Sequence, residues 1–460
     1  MIVHADRIAR LRAELAVAGD AAGIGLAKRT SNLFRDRARP SLPKIDVAEF
    51  AEVIRIDADA GIVEAEGMIP YVALADATLA HGLLPAVVPQ LKSITLGGAV
   101  AGVGIESSSF RYGLVHDTVA ALDVLTPDGR IVHCTPDNEH RDLFFGFPNS
   151  YGTLGYALAV TARTVPARRY VQLEHVRHTD AAACFAEIAR RCADGRLDFL
   201  DGTVFAPDEM YLTLGRFVDD APWVSDYTYE HVYYQSIRKR SIDYLTARDY
   251  VWRWDTDWFW CSKNVGAQHP LVRRLLGRKR LNSITYQRIM RWNARWGVTR
   301  VLDRLRGMHA ESVIQDVDIP VDRAAEFLDF LHREVGILPV WLCPIRGPDP
   351  ARRFPLYPLR PAIVYINFGF WDVVTSPEAR PEGFVNRRIE RKVAALSGIK
   401  SLYSDSFYSE DEFWSAYDRD AYTALKSRYD PGGTRPDLYA KCVRAAGRDE
   451  QRSSRRHAGD

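Results

Sequence analysis

The sequence predicts an α+β fold in more than one unit, and three observations predict it. The chain has 460 residues, enough for two or three domains and a large core. Its first third alternates short β-type runs with turn signals and few helical patterns, unlike the steady strand–helix rhythm of a doubly wound sheet. After Pro166 the texture changes, and "LPVWLCPIR" and "AIVYINFGF" supply apolar runs for a second sheet.

Taken in order, residues 5–18 carry the spacing of a short amphipathic helix. The stretch "GLAKRTSNLFRDRARPSLPKIDV" is polar, basic and broken by prolines, so it reads as a surface loop. Val53–Ile56 and Ile62–Ala65 are strands joined by a turn at Asp59–Gly61, and a helix over 70–81 closes at Gly82. A hairpin turns at Pro127–Asp128–Gly129, and "GYALAVTARTVPA" is a strand ended by Pro166. Residues 180–194 form a helix, and "DGTVFAPDEMYLTLGRF" is strand-like. Residues 226–310 are dense in aromatics and arginines, and the tail over 446–460 has the composition of a disordered segment. There is no internal repeat.

Hydrophobic residues make up 47% and charged residues 26%, an ordinary soluble composition. The net charge of +2 hides an uneven distribution. Eleven Arg or Lys lie between Leu271 and Ala310 against the single acid Asp303, while the rest of the chain carries 50 basic and 58 acidic groups. A tryptophan-bearing basic segment of this kind suits an anionic lipid surface. A nucleic-acid face and a plain solvated helix are the competing readings, and no nucleic-acid partner is expected. The six cysteines are scattered without a CxxC pair, which fits free thiols in a cytoplasmic protein and no metal site. The N-terminus lacks the apolar stretch of a signal peptide, and no run reaches the length of a membrane span. A cytoplasmic location is expected, with peripheral docking on the inner face of the membrane as an extension. The oligomeric state stays open.

Residues 97–114 read "GGAVAGVGIESSSFRYGL". Glycines at 97, 98, 102 and 104 leave the backbone bare, so its N–H groups can meet a phosphate or the edge of a flavin ring. The dinucleotide pattern G-x-G-x-x-G fails at Ser107, and no long apolar strand leads into the stretch.

This stretch, with "PQLKSITLGG" before it and "DLFFGFPNSYGTLGYALAVTARTVPA" after it, resembles the flavin-binding half of the vanillyl-alcohol-oxidase type of FAD-linked oxidoreductase. Within that superfamily, "GVGIESSSFRYGL", "VIQDVDIP", "LPVWLCPI" and "LYSDSFYSEDEFWSAYD" resemble the delta-24-sterol reductases and a related group that reduces methylene-branched fatty acyl chains. The resemblance covers about residues 25 to 445. It implies a two-part FAD-binding domain over 1–168 and a substrate or cap domain with an antiparallel sheet over 169–394, which includes the basic segment 271–307. A segment over 395–445 returns to the FAD domain. Carried over by position, Thr95, Gly97, Gly98, Gly102, Gly104, Ile105, Glu106, Ser107 and Ser108 are expected to cradle FAD, with Gly152, Thr153 and Gly155 alongside. The first phosphate loop falls on "AKRTSNLFR", where Arg29, Thr30, Ser31 and Asn32 replace the usual glycines. It holds no histidine, so a non-covalent FAD is expected.

The resemblance also implies a redox reaction in one of two directions. One passes electrons from NADPH or NADH through FAD to an isolated C=C bond of a lipid. A methylene-branched acyl chain of a phospholipid is the first expectation and a sterol-like side chain the second. The other removes hydride from an alcohol or sugar-type substrate. An unactivated alkene needs a proton donor in an apolar pocket and π-faces that steady a cation. "DYVWRWDTDWFWCSKN" offers both, with Trp252, Trp254, Trp258 and Trp260 around Asp255 and Asp257, and Lys263 nearby. Tyr403, Asp405 and Tyr408 lie where the returning segment approaches the flavin, and Asp405 and Tyr408 are further acid candidates.

Overall fold

The computed structural model describes residues 2–18, 25–27, 44–286, 288–289 and 308–443. The chain starts with the helix Ile2–Ala18, and a parallel pair follows, β1 (Gly25–Ala27) with β2 (Lys44–Asp46). An antiparallel sheet is built from β3 (Val53–Asp57), β4 (Ile62–Glu66), β5 (Leu83–Pro85), β6 (Val119–Leu125), β7 (Ile131–Cys134) and β8 (Tyr156–Pro166). Its order is β3-β4-β8-β6-β7, with β5 pairing on β8. The expected hairpin at Pro127–Asp128–Gly129 joins β6 to β7, where Gly129 takes a φ of 85° that favours glycine.

A second antiparallel sheet follows after a short link. It contains β9 (Tyr170–His178), β10 (Phe199–Ala206), β11 (Glu209–Val218), β12 (Ile242–Thr246), β13 (His309–Pro320), β14 (Val340–Ile345), β15 (Tyr365–Ser376) and β16 (Ile399–Lys400). The order is β12-β9-β11-β10-β14-β15-β13-β16. The run from Asp201 to Phe217 is therefore not one strand. It is most of a hairpin, because Pro207–Asp208 breaks it into β10 and β11.

Strand alternation sets what each face of this sheet does. On β13, Val313, Val317 and Ile319 point into a core shared with the helices Ala181–Asp194, Ala324–Phe330 and Phe384–Ala395. Each such buried side chain contributes roughly 1.5–3 kcal/mol. Ser312, Ile314, Asp316 and Asp318 point the other way, toward a cavity against the first sheet's unit. The same division holds on β15, where Ile366, Phe368 and Phe370 face the helices, and Asn367, Trp371 and Val373 face the cavity.

The last described stretch returns across the chain. Lys426 donates to the Thr153 carbonyl at 3.1 Å, and the Tyr429 hydroxyl to Asp142 at 2.8 Å. Leu425 fills the space left by Gly146, where a Cβ would stand 2.2 Å from its methyl group.

Candidate functional site

A cavity of about 320 Å³ separates a glycine-rich wall from the free face of the second sheet. The glycine wall starts at Thr95, which caps the short helix Leu96–Ala101 by accepting the Gly98 N–H at 3.3 Å. A Cβ on Gly98 would sit 2.7 Å from that hydroxyl oxygen, so the cap and a side chain cannot coexist. Beyond the helix, the N–H groups of Val103 and Ile105 find no acceptor among the described residues. Val103, Tyr151, Trp258 and Phe259 all line the cavity with φ between 46° and 56°. For non-glycine residues this region costs on the order of 1–3 kcal/mol each, and such strain gathers at functional sites.

The opposite wall is aromatic and acidic. Phe259 lies 4.4 Å from Trp371 and 5.7 Å from Trp341 between ring centroids, and all three line the cavity. Asp318 accepts from Tyr357 at 2.6 Å and from Asn367 at 2.8 Å, and burial lifts its pKa to about 6. Asp316 stands opposite Gly369, and burial pushes its pKa well above the usual carboxylate range. Tyr403 bonds the Asp316 carboxyl and accepts the Trp371 indole N–H at 2.7 Å. Three buried polar atoms on the lining have no hydrogen-bond partner among the described residues: Gln90 Nε2, Asp316 Oδ1 and Asn367 Oδ1. Orphaned polar atoms and free N–H groups around one space fit a polar, ring-bearing cofactor that supplies the missing partners.

Comparison with known proteins agrees. Residues 27–135 match the family model described as an FAD binding domain. The Delta(24)-sterol reductase of Homo sapiens is 26% identical over 419 residues, covering 86% of this chain and 77% of its own. The Arabidopsis thaliana Delta(24)-sterol reductase is 25% identical over 433 residues, covering 86% and 76%. Cytokinin dehydrogenase 7 of Oryza sativa subsp. japonica is 30% identical over 157 residues, 33% of this chain and 30% of its own. The protein is an FAD-dependent oxidoreductase.

In this flavoenzyme Thr95, Gly97, Gly98, Gly102, Gly104, Ile105, Gly152 and Gly155 line the cavity, as does Trp258. Glu106 and Ser108 instead line a second cavity, and Ser107 meets the Tyr250 hydroxyl at 2.9 Å. Glu106 also pairs with the buried Arg253 at 2.8 Å. Thr153 is buried and turns its hydroxyl to the Ser150 carbonyl. Arg29, Thr30, Ser31 and Asn32 lie outside the described residues.

The tryptophan-rich segment divides. Trp252, Trp254 and Trp260 are core residues, with Trp254 stacked on Phe259 at 5.0 Å, and none of the three lines the cavity. Asp255 accepts from the Lys92 N–H at 3.0 Å and Ser283 at 2.6 Å, with the Lys92 ammonium 3.7 Å away. Asp257 is paired with the buried Arg273 and accepts from Ser262. Neither acid lines the cavity. Lys263 reaches it only through Asp372, at 2.9 Å. Tyr408 packs with Phe413 and lines a separate surface cavity, and the Asp405 carbonyl accepts from Lys400. Sequence reasoning therefore missed Asp316, Asp318, Trp371 and Tyr357 as cavity residues, although "VIQDVDIP" contained the two acids at strand spacing.

Proposed function

We propose that the flavoenzyme reduces an isolated C=C bond in a lipid, with non-covalent FAD along the glycine wall and NADPH or NADH as electron donor. A methylene-branched acyl chain of a phospholipid is the preferred substrate and a sterol-like side chain the second. One observation carries this reading. The space beside the glycine wall is lined by aromatic rings and by buried carboxyl groups, with no Lys, Arg or His among its described lining residues. A carboxyl group kept neutral by burial, as Asp316 is, donates a proton and makes a poor base, which favours alkene reduction over alcohol oxidation. The names of the sterol reductase relatives support the same direction.

Thr95, Gly97, Gly98, Gly102, Gly104, Ile105, Gly152 and Gly155 would hold FAD, which supplies hydride when bound. The division at about residue 168 follows the break between β8 and β9. Of the returning segment, β16 pairs with β13 in the second sheet, while the described part after it packs back toward the FAD side. Delivery of an insoluble substrate is assigned to a membrane-facing patch. The helix Pro270–Leu276 exposes Leu271 and Leu275 at 67% and 83%. Its Leu276 packs on the cluster of Trp258 and Tyr286, which also line the cavity. Lys279 and Arg280 are exposed beside it. The rest of the basic segment, from 290 to 307, lies outside the described residues. Among the described residues no helix is long and apolar enough to cross a membrane.

The test is anaerobic. NADPH bleaches the visible flavin absorbance of the purified holoenzyme, and vesicles of methylene-branched phospholipid then restore it, with a product heavier by two hydrogens. Bleaching by an alcohol but not by NADPH overturns the proposal in favour of an oxidase or dehydrogenase.

A further inference from the structure

Two carboxyl groups face the cavity from β13, and their bonding differs. Asp318 has both oxygens occupied, by Tyr357 and Asn367, which fixes it as a hydrogen-bond acceptor. Asp316 leaves Oδ1 without a partner. That oxygen lies over Gly369, where a Cβ would come within 2.8 Å of it and within 2.8 Å of the Trp371 ring. The absent side chain on β15 is thus what admits the carboxyl and the indole side by side. Tyr403 fixes the remaining geometry. Its hydroxyl oxygen takes the Trp371 N–H, so its single proton is directed to Asp316.

We propose that Asp316 is the acid that protonates the substrate C=C bond, with Tyr403 as its positioning residue. The proposal rests on the alkene reduction put forward above. The Asp316 O–H bond breaks and a C–H bond forms at the less substituted alkene carbon from the π pair. The positive charge left on the more substituted carbon lies among Trp371, Trp341 and Phe259. FAD held on the glycine wall would supply the hydride for the second C–H bond, with NADPH or NADH as the source of that electron pair. The Asp316 carboxylate then recovers a proton from water.

Burial keeps the group charged with this task neutral, and the nearby Asp318 pushes in the same direction, while the Tyr403 bond pulls its pKa back down. The other titratable groups on the same cavity lining are Tyr151, Tyr156, Cys261, Tyr286, Tyr357 and Asp372, the last paired to Lys263. Alkene reduction therefore falls as pH rises through the pKa of Asp316.

The test uses the holoenzyme, NADPH and methylene-branched phospholipid vesicles without oxygen, and compares wild type with Asp316→Asn and Asp316→Glu. Vesicle-driven return of the flavin spectrum is expected to slow by ~10²- to 10⁴-fold in Asp316→Asn and to recover in part in Asp316→Glu. Bleaching by NADPH should change by less than about tenfold, because that half-reaction needs no such acid. Infrared titration gives a readout independent of turnover: the band of a buried protonated carboxyl at neutral pH should be lost in Asp316→Asn. Reoxidation of Asp316→Asn at the wild-type rate, or an unchanged infrared band, overturns the assignment. Wild type that NADPH bleaches but no alkene restores, with the band intact, overturns the functional reading itself.

Discussion

Two of the chain's Asp-x-Asp pairs lie inside the protein, Asp255 with Asp257 and Asp316 with Asp318, and of these four only Asp316 is partly buried. The first pair lies in a turn, with its two carboxyl groups drawn to different partners, Lys92 with Ser283 and Arg273 with Ser262. The second lies on an extended strand, so residues two apart share a face and both meet the cavity. No Lys or Arg pairs with Asp316 or Asp318 among the described residues, and tyrosine and asparagine take that place. A buried carboxylate matched to a cation ties segments together, yet burial still lifts Asp257 to about 6, level with Asp318. Asp316, with no cation beside it among the described residues and one unpartnered oxygen, is pushed well above the usual carboxylate range and keeps a proton to deliver.

The largest expected effect tests the structural pair. Arg273→Met leaves Asp257 buried without its cation and should cost about 3–5 kcal/mol in urea melts; a variant as stable as wild type would erase the distinction. Next comes a pH effect on the cavity pair. Asp318 titrates near 6 in the fold against an ordinary 3.8, so between those values the native state holds a proton that the unfolded chain has released. Stability should fall as pH rises from about 4 to about 6, by up to ~3 kcal/mol, and Asp318→Asn should remove that slope. Gly369→Ala drives a methyl group against Asp316 and Trp371 and should cost about 1–3 kcal/mol while depressing alkene reduction. Tyr403→Phe removes a bond that lowers the Asp316 pKa. The alkaline limb of alkene reduction should therefore move to higher pH by about one unit or less; a shift to lower pH would contradict the hydrogen-bond direction.

The glycine wall was legible in the sequence because its signal is local: a bare backbone is written into "GGAVAGVG" itself. The hairpin at Pro127–Asp128–Gly129 was legible for the same reason. Asp316 and Asp318 needed non-local knowledge. "VIQDVDIP" shows a period of two, but which of its faces meets the cavity depends on strand neighbours far along the chain. The aromatic crowd around Asp255 and Asp257 drew attention instead, and most of those rings pack the core. Tyr403 and Tyr408 are five residues apart, and only the fold distinguishes the one beside Trp371 from the one beside Phe413.

The cavity draws its lining from Leu26 through the glycine stretch to Ser401 and Tyr403. A ribosome adding about 5–20 residues per second exposes the glycine wall roughly 15–60 s before the tyrosine that completes the opposite side. Over that interval a nascent chain presents half a binding site, open to water and to other hydrophobic surfaces. A cofactor seated in this cavity would be held by both walls only once Tyr403 has joined the glycine stretch.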